Sequence, residues 1–126
     1  MKTLWNKNWK SSKQPRKQRK YVFNAPLHIS KKLMSARLSK ELKTKYGKKN
    51  VAVRKDDRVK LMSGQFKGKT GKVIEVDVKH RKVYVDGINI IKKDGNKIRV
   101  ALHPSKLMIM ELNMEDKMRK KLMDRK

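Results

Sequence analysis

The sequence predicts a mainly β fold, a small closed barrel preceded by a basic arm and two short helices and followed by one helix. Apolar and polar residues alternate from Val51 to Leu112, which is the period of β-strands. Turn-forming residues divide this region into short segments. On either side of it, apolar residues recur at helical spacing. The predicted segments are 1–23 (arm), 24–50 (two helices), 51–112 (barrel) and 113–126 (last helix).

The arm is expected to be extended and partly disordered in the free protein. The chain has 37 Lys and Arg against 11 Asp and Glu, a net charge of +26 on 126 residues, and Glu41 is the only acidic residue of the first 50. Such an arm has few apolar side chains to bury, so it would become ordered on its partner. Pro15 is expected to prevent a helix from forming there. In its lack of acidic residues, the start of the arm resembles a transit peptide. Its preference for Lys over Arg and its lack of an amphipathic period argue against a cleaved presequence.

Two short helices are predicted after the arm. The first has Asn24 as its N-cap, carries Pro26 in its first turn and runs to about Ser35. The second follows an N-cap at Ser39 and ends at Gly47, a residue that readily takes the left-handed conformation at a helix end.

Seven groups of alternating apolar residues predict the strands of the barrel. They are Val51/Val53, Val59/Leu61, Ile74/Val76/Val78, Val83/Val85, Ile88/Ile90, Ile98/Val100/Leu102 and Met108/Met110/Leu112. Val73 has the opposite parity from Ile74, which predicts a β-bulge just after Gly71. A flat sheet of this size would bury too little and leave its edges exposed. The strands are therefore expected to close into a five- or six-stranded SH3-like barrel.

The last helix is predicted to begin after Asn113 as its N-cap. Acidic residues follow this cap and basic residues lie near the end of the helix, which complements the helix dipole. Met114, Met118 and Leu122 form a narrow apolar stripe suited to lying on a surface. This stripe is too narrow for a membrane-surface helix, and no segment approaches the roughly 18 apolar residues of a membrane span.

A loop rich in glycine and lysine gives the strongest functional signal. It contains Gly64, Lys67, Gly68, Lys69, Gly71 and Lys72. Glycines admit positive φ or the close approach of another backbone, and the lysines favour a negatively charged surface such as phosphate. The glycines could also serve only to shape a tight turn, but the charge of the chain favours RNA. The spacing resembles the KOW motif, a strand-loop-strand element of ribosomal proteins and transcription elongation factors.

No arrangement typical of catalysis or metal binding is recognisable. His28, His80 and His103 are isolated from one another and from suitably spaced carboxylates, and the chain has no cysteine. Asp56 and Asp57 are adjacent, so they favour a turn or a salt link over a general-acid pair. We therefore expect no enzymatic activity, no cofactor, no metal and no small-molecule substrate.

Basic and aromatic residues are interleaved near the end of the arm. Arg19 and Lys20 directly precede Tyr21, and Phe23 follows. Aromatic rings can stack on bases or sugars while cations contact phosphates. This part of the arm is therefore expected to bind RNA.

Longer segments carry a more specific resemblance. They are Ser12 to Lys20, Phe23 to Ile29, Met34 to Leu42, Lys45 to Gly47, Arg54 to Asp57 and His103 to Lys106. Together with the glycine loop they resemble the large-subunit ribosomal protein called L-twenty-four in archaea and bacteria and L-twenty-six in eukaryotes. The resemblance covers nearly the whole chain and is strongest to the archaeal form, but the first ten residues cannot be aligned.

The resemblance implies a structural component of the large ribosomal subunit in the cytoplasm. It would bind the first domain of the large ribosomal RNA near the peptide exit, beside neighbouring ribosomal proteins, and would support subunit assembly. The alternative is a KOW-type elongation factor that binds RNA polymerase, but residues 1–50 are too short and too basic to form the further domain it would need. The expected RNA-binding residues are Lys10, Lys13, Arg16, Lys17, Arg19, Lys20, Tyr21, His28, Arg37, Gly64, Lys67, Gly68, Lys69, Gly71, Lys72, Arg81, His103 and Lys106.

Overall fold

The computed structural model describes residues 4–125, which form a mixture of helices and strands. The helices are α1 (Pro15–Phe23), α2 (Leu27–Leu33), α3 (Lys40–Tyr46) and α4 (Lys117–Asp124), with short 3₁₀ helices at Lys7–Ser11 and Pro104–Lys106. The strands are β1 (Ser35–Leu38), β2 (Asn50–Ala52), β3 (Arg58–Leu61), β4 (Thr70–Asp77), β5 (Lys82–Val85), β6 (Asn89–Ile91), β7 (Lys97–Arg99) and β8 (Leu107–Glu111). The fold is β-rich, but it has more helix than the sequence indicated.

Six strands form one sheet in the order β2-β1-β8-β3-β4-β5. Strands β1 and β8 are parallel, and the other neighbours are antiparallel. The prediction of a closed barrel is wrong, because β2 and β5 remain at opposite edges of the sheet in the part of the chain that the structure describes. Strands β6 and β7, which closure would require, pair with each other as a separate hairpin. One bridge, between Val83 and Leu102, connects β5 to the segment that follows this hairpin.

Strand β1 was not predicted, because its residues also fit the end of a helix. In the structure, Ala36 and Leu38 are buried and Arg37 between them is exposed, which is the alternation of a strand. The helix after it is confirmed. The Ser39 hydroxyl accepts a hydrogen bond from the Leu42 backbone N–H, and Gly47 ends α3 in the left-handed conformation.

The inward face of β8 is the opposite of the predicted one. Leu107 and Ile109 are fully buried, whereas Met108 and Met110 are half-buried. All four side chains are apolar, so alternation could not identify the core face. The pairing of β8 with β1 on one side and β3 on the other determined it.

The predicted bulge in β4 is confirmed. The register between β4 and β5 shifts between Val73 and Glu75. Val73 is buried as a result, and Ile74 is only half-buried. At this irregularity Val73, and not Ile74, is the residue of β4 that faces the core.

The N-cap of α4 is Asp116 and not Asn113. The Asp116 carboxylate accepts a hydrogen bond from the Met118 backbone N–H at 2.8 Å. The hydrogen bond from the Arg54 guanidinium holds the pKa of Asp116 below its usual range, and the Met118 N–H adds a smaller effect in the same direction. Asn113 instead shapes the preceding turn by accepting a hydrogen bond from the Glu115 N–H.

A buried ion pair joins α4 to the sheet and confirms that Asp57 forms a salt link. The Arg119 guanidinium donates to both carboxylate oxygens of Asp57, at 2.6 and 2.7 Å. The backbone N–H groups of Arg54 and Asn113 donate to the same carboxylate. Because Arg119 and Met123 lie on one face of α4 and are buried, this face contacts the core. Of the predicted stripe, Met118 and Leu122 are exposed on α4, whereas Met114 lies before the helix and packs against the core.

The N-terminal arm is helical where it was expected to be extended. Pro15 occupies the first position of α1, where its missing N–H removes no helical hydrogen bond, so it starts a helix instead of preventing one. The Trp5 indole N–H donates to the Tyr21 carbonyl oxygen at 3.0 Å, and the two rings lie 5.4 Å apart. The described part of the arm is therefore folded upon itself.

Candidate nucleic-acid interface

One face of α1 is exposed and carries cations with one aromatic ring. Arg16, Arg19, Lys20 and Phe23 follow the spacing i, i+3, i+4, i+7, which places them on one side of the helix. Phe23 is 82% exposed. A basic surface with an accessible ring is suited to contact phosphates and a base or sugar together.

Tyr21 lies on the other side of α1 and is not accessible for stacking. It is only 8% exposed, because its ring packs against Trp5. Its predicted role as an RNA-stacking residue therefore does not fit the structure. Phe23, two residues later, is the ring that α1 presents to solvent.

The remaining cations of the arm lie close to α1. The Gln18 side chain donates to the carbonyl oxygens of Lys10 and Ser12 at 2.7 and 2.8 Å, which holds the loop before α1 against the helix. Lys10, Lys13 and Lys17 are all exposed. The basic residues predicted in the arm are therefore all exposed, on α1 or in the segment held against it.

The glycine loop joins β3 to β4 and is held by its own backbone. Gly64 and Gly68 have φ values of +93 and +88°, as the sequence predicted. The Gly68 N–H donates to the Leu61 carbonyl at 2.9 Å. A side chain at either glycine would meet nothing within 4 Å, so the outer surface of the loop is open. Lys67 and Lys69 are exposed on it.

The fold itself requires glycine at residue 71. It lies in β4 opposite Val59, and a Cβ atom there would be 2.5 Å from the Asp86 carbonyl oxygen and 2.7 Å from Val85 Cγ1. Its neighbour Lys72 forms an ion pair with Asp56 at 2.9 Å. Lys72 therefore has a carboxylate partner within the protein.

We expect Gly71→Asn to lower the free energy of unfolding by about 1–3 kcal/mol or more, because the new side chain overlaps the backbone at Asp86. Gly47→Asn is the matched control and should cost less than about 1 kcal/mol, since asparagine tolerates the left-handed φ of 64° at this helix end and the described residues leave the site open. Urea unfolding measured by circular dichroism compares the two. Equal losses would show that the close approach to Asp86 does not constrain residue 71.

Lys106 lies beside the glycine loop. Its carbonyl oxygen accepts a hydrogen bond from the Met62 N–H at 2.8 Å. A cavity of about 150 Å³ is lined by Gly64, Phe66 and Lys106 among others. His103, three residues before Lys106, is also exposed. Its Nδ1 atom accepts a hydrogen bond from the Ser105 N–H and so caps the 3₁₀ helix Pro104–Lys106.

Arg81 connects the arm to the sheet. It follows β4 in a turn where the His80 N–H donates to the Asp77 carboxylate, and this bond holds the pKa of Asp77 below its usual range. Arg81 itself has a φ of 56°. Its guanidinium donates to the Val22 carbonyl oxygen at the end of α1. Arg81 therefore has a partner within the protein. Of the other predicted RNA-binding residues, His28 is exposed on α2 and Arg37 is exposed on β1.

The described residues were also compared with the requirements of a metal site and of a membrane-spanning helix. Between residues 4 and 125, no three His, Cys, Asp or Glu side chains lie close enough to hold a metal ion. None of the helices in that range has the length and apolar character needed to cross a membrane.

Two comparisons with known proteins indicate the same family. The model of a family described as eukaryotic L26 and archaeal L24 ribosomal proteins matches residues 12–126. The large ribosomal subunit protein uL24 of Korarchaeum cryptofilum (strain OPF8) is 50% identical over 115 residues, which cover 91% of this chain and 88% of that protein. The chain belongs to this family of ribosomal proteins. It is a component of the large subunit in the cytoplasmic ribosome.

Proposed function

We propose that this chain binds large-subunit ribosomal RNA mainly through phosphate contacts and so supports the structure and assembly of the subunit. The exposed basic and aromatic face of α1 carries this proposal. Arg16, Arg19 and Lys20 project from two turns of a helix that contains no acidic residue. Three cations without an acidic neighbour on the helix favour a polyanionic partner such as the RNA backbone.

Phe23 supports the same partner. A phenylalanine that is 82% exposed contributes little to folding. Beside three cations, its ring can stack on a base or ribose while the cations neutralise the neighbouring phosphates. Recognition of this kind follows the shape and backbone of folded RNA more than its sequence.

The glycine loop is proposed as the second RNA contact. Open space at Gly64 and Gly68 lets an RNA backbone approach the protein main chain, and Lys67, Lys69 and Lys106 supply charge around it. The glycine loop lies between β3 and β4, whereas α1 belongs to the N-terminal arm. The protein would therefore contact RNA through two separate segments. A contact of this kind suits a protein that holds folded RNA segments together during assembly.

The finer location is proposed from the family resemblance. It is the first domain of the large ribosomal RNA near the peptide exit, with other ribosomal proteins as neighbours. The family match is to ribosomal proteins and covers nearly the whole chain, which gives the elongation-factor alternative no support. Membership in a family of structural ribosomal proteins supports the prediction that the chain is not an enzyme.

Sedimentation of the tagged, full-length protein through a salt-washed gradient tests the proposal. We expect the protein to migrate with the large subunit and, when purified, to bind a transcript of the first domain more tightly than a transcript of another domain of equal length. Equal affinity for both transcripts would contradict the domain assignment. Co-purification with RNA polymerase and absence from the subunit would contradict the proposed function.

A further inference from the structure

The outer face of α4 exposes aliphatic side chains that the fold does not use. Met118, Lys121 and Leu122 are spaced i, i+3, i+4, so they share one side of the helix, and Arg125 follows at i+7 as the C-cap of α4. Met118 is 68% exposed and Leu122 is 50% exposed. Two neighbouring exposed apolar side chains with cations beside them provide a small apolar contact that a partner could cover.

A cavity of about 300 Å³ continues this face toward α2 and the edge strand β2. Its lining includes Val51 and Ala52 as well as Met118 and Leu122. Among the described residues, five basic side chains and no acidic side chain also line it. They are Lys31, Arg54, Arg119, Lys121 and Arg125. The cavity therefore combines an apolar floor with a basic rim.

Three of these cations have no carboxylate partner among the described residues. Arg119 is neutralised by Asp57, and Arg54 is bonded to Asp116. Lys31, Lys121 and Arg125 form no such pair in residues 4–125. We call Lys31, Met118, Lys121, Leu122 and Arg125 the α4 surface.

Side-chain hydrogen bonds hold the helix that carries the α4 surface in a fixed position. The Lys48 ammonium group donates to the carbonyl oxygens of Leu122 and Arg125 at 2.5 and 2.6 Å, which caps the end of the helix. Arg119 fixes the other side of the helix to Asp57. A partner would therefore bind a preformed surface and would not have to order it.

We propose that the α4 surface docks an acidic amphipathic segment of another protein. Apolar side chains of that segment would cover Met118 and Leu122, and its carboxylates would face Lys31, Lys121 and Arg125. A second copy of this chain is disfavoured, because two chains of net charge +26 repel each other.

Comparison with α1 explains why a protein fits α4 better than RNA does. Both helices expose a face with the same spacing, but α1 carries three cations and a flat aromatic ring, and α4 carries two cations and two aliphatic side chains. Aliphatic side chains cannot stack on bases as a ring does, and phosphates would leave them uncovered. Methionine at the centre of an exposed patch is common in protein interfaces. This inference adds a protein-binding surface to the proposed RNA-binding function.

Two synthetic peptides of identical composition test the docking. One is a helical peptide with leucines at i, i+3, i+4 and i+7 and glutamates on its other faces, and the second has the same residues scrambled so that no leucine stripe forms. Fluorescence anisotropy with the full-length protein is measured at about 0.3 M salt, where screening reduces non-specific attraction. We expect the striped peptide to bind at least tenfold tighter than the scrambled one.

Matched variants locate the binding. The double variant Met118→Gln and Leu122→Gln should lose the preference for the striped peptide. The control, Ile91→Gln and Ile98→Gln, removes two side chains that are 66 and 43% exposed on the separate hairpin of β6 and β7, and it should keep the preference. Circular dichroism confirms that both variants fold. Equal binding of the two peptides to the wild type, or an equal loss in the control, would overturn the proposal.

Titration of the same variants with large-subunit ribosomal RNA separates this inference from the proposed function. Both variants should bind the RNA as the wild type does. If the α4 variant lost RNA affinity and kept its peptide preference, the surface would belong to RNA and the docking proposal would fail. Failure of the wild-type protein to bind RNA would instead contradict the proposed function and leave the peptide result standing.

Discussion

Replacement of Arg16, Arg19 and Lys20 with alanine is expected to weaken binding to large-subunit ribosomal RNA roughly 100-fold at about 0.15 M salt. Each phosphate contact contributes roughly 0.7–0.9 to the slope of log affinity against log salt, so the loss of three contacts should flatten that slope by about 2–3. Alanine is the best helix former, so α1 remains intact. Filter binding of the full-length protein over a range of salt concentrations measures both quantities.

The matched control removes the same amount of charge elsewhere. Lys40, Lys117 and Lys120 are exposed and lie outside the proposed RNA contacts. Their replacement with alanine should leave the salt slope nearly unchanged, because no phosphate counterions would be displaced at these positions. An unchanged slope in the α1 variant would show that this face does not neutralise phosphates, although the family membership would stand.

Arg119→Ala is expected to lower the free energy of unfolding by about 3–5 kcal/mol, because it leaves the Asp57 carboxylate buried without its cation. Asp57 is fully buried, and Arg119 also holds α4 through bonds to the carbonyl oxygens of Asn113 and Ala52. Urea unfolding followed by circular dichroism measures the loss.

An exposed ion pair on the same sheet provides the comparison. Arg58 and Glu111 lie 3.1 Å apart, with side chains that are 58 and 68% exposed. Solvent screens such a pair, so Arg58→Ala should cost less than about 1 kcal/mol. If Arg119→Ala were no more destabilising than Arg58→Ala, the buried pair would not be what anchors α4.

Several features could be predicted because they depend on neighbours in sequence. The limits of α3 follow from an N-cap at Ser39 and a glycine at residue 47, and both are local conformational preferences. The positive φ angles of Gly64 and Gly68 and the bulge near Val73 follow in the same way. The basic, aromatic segment of the arm and the resemblance to a ribosomal family were equally available from the residues themselves.

The arm shows how a local rule can mislead. Proline usually interrupts a helix, so Pro15 suggested an extended segment, but at the first position of α1 it favours the helix. That helix buries Tyr21 against Trp5 and exposes Phe23. The sequence alone therefore established that this segment was basic and aromatic, and only the folded contact between Trp5 and Tyr21 decided which ring faces solvent.

The sheet and α4 were decided by contacts between residues far apart in sequence. The face of β8 could not be predicted where successive residues were all apolar, and its pairing with β1 and β3 selected Leu107 and Ile109 for the core. On α4, the ion pair between Arg119 and Asp57 turned a charged side inward and left Met118 exposed. Sequence alone determined the charge, the turns and the family of this protein, because each is a property of the residues or of short segments. The open sheet and the orientation of its exposed surfaces required the tertiary structure, because burial is shared among segments that meet only when the chain folds.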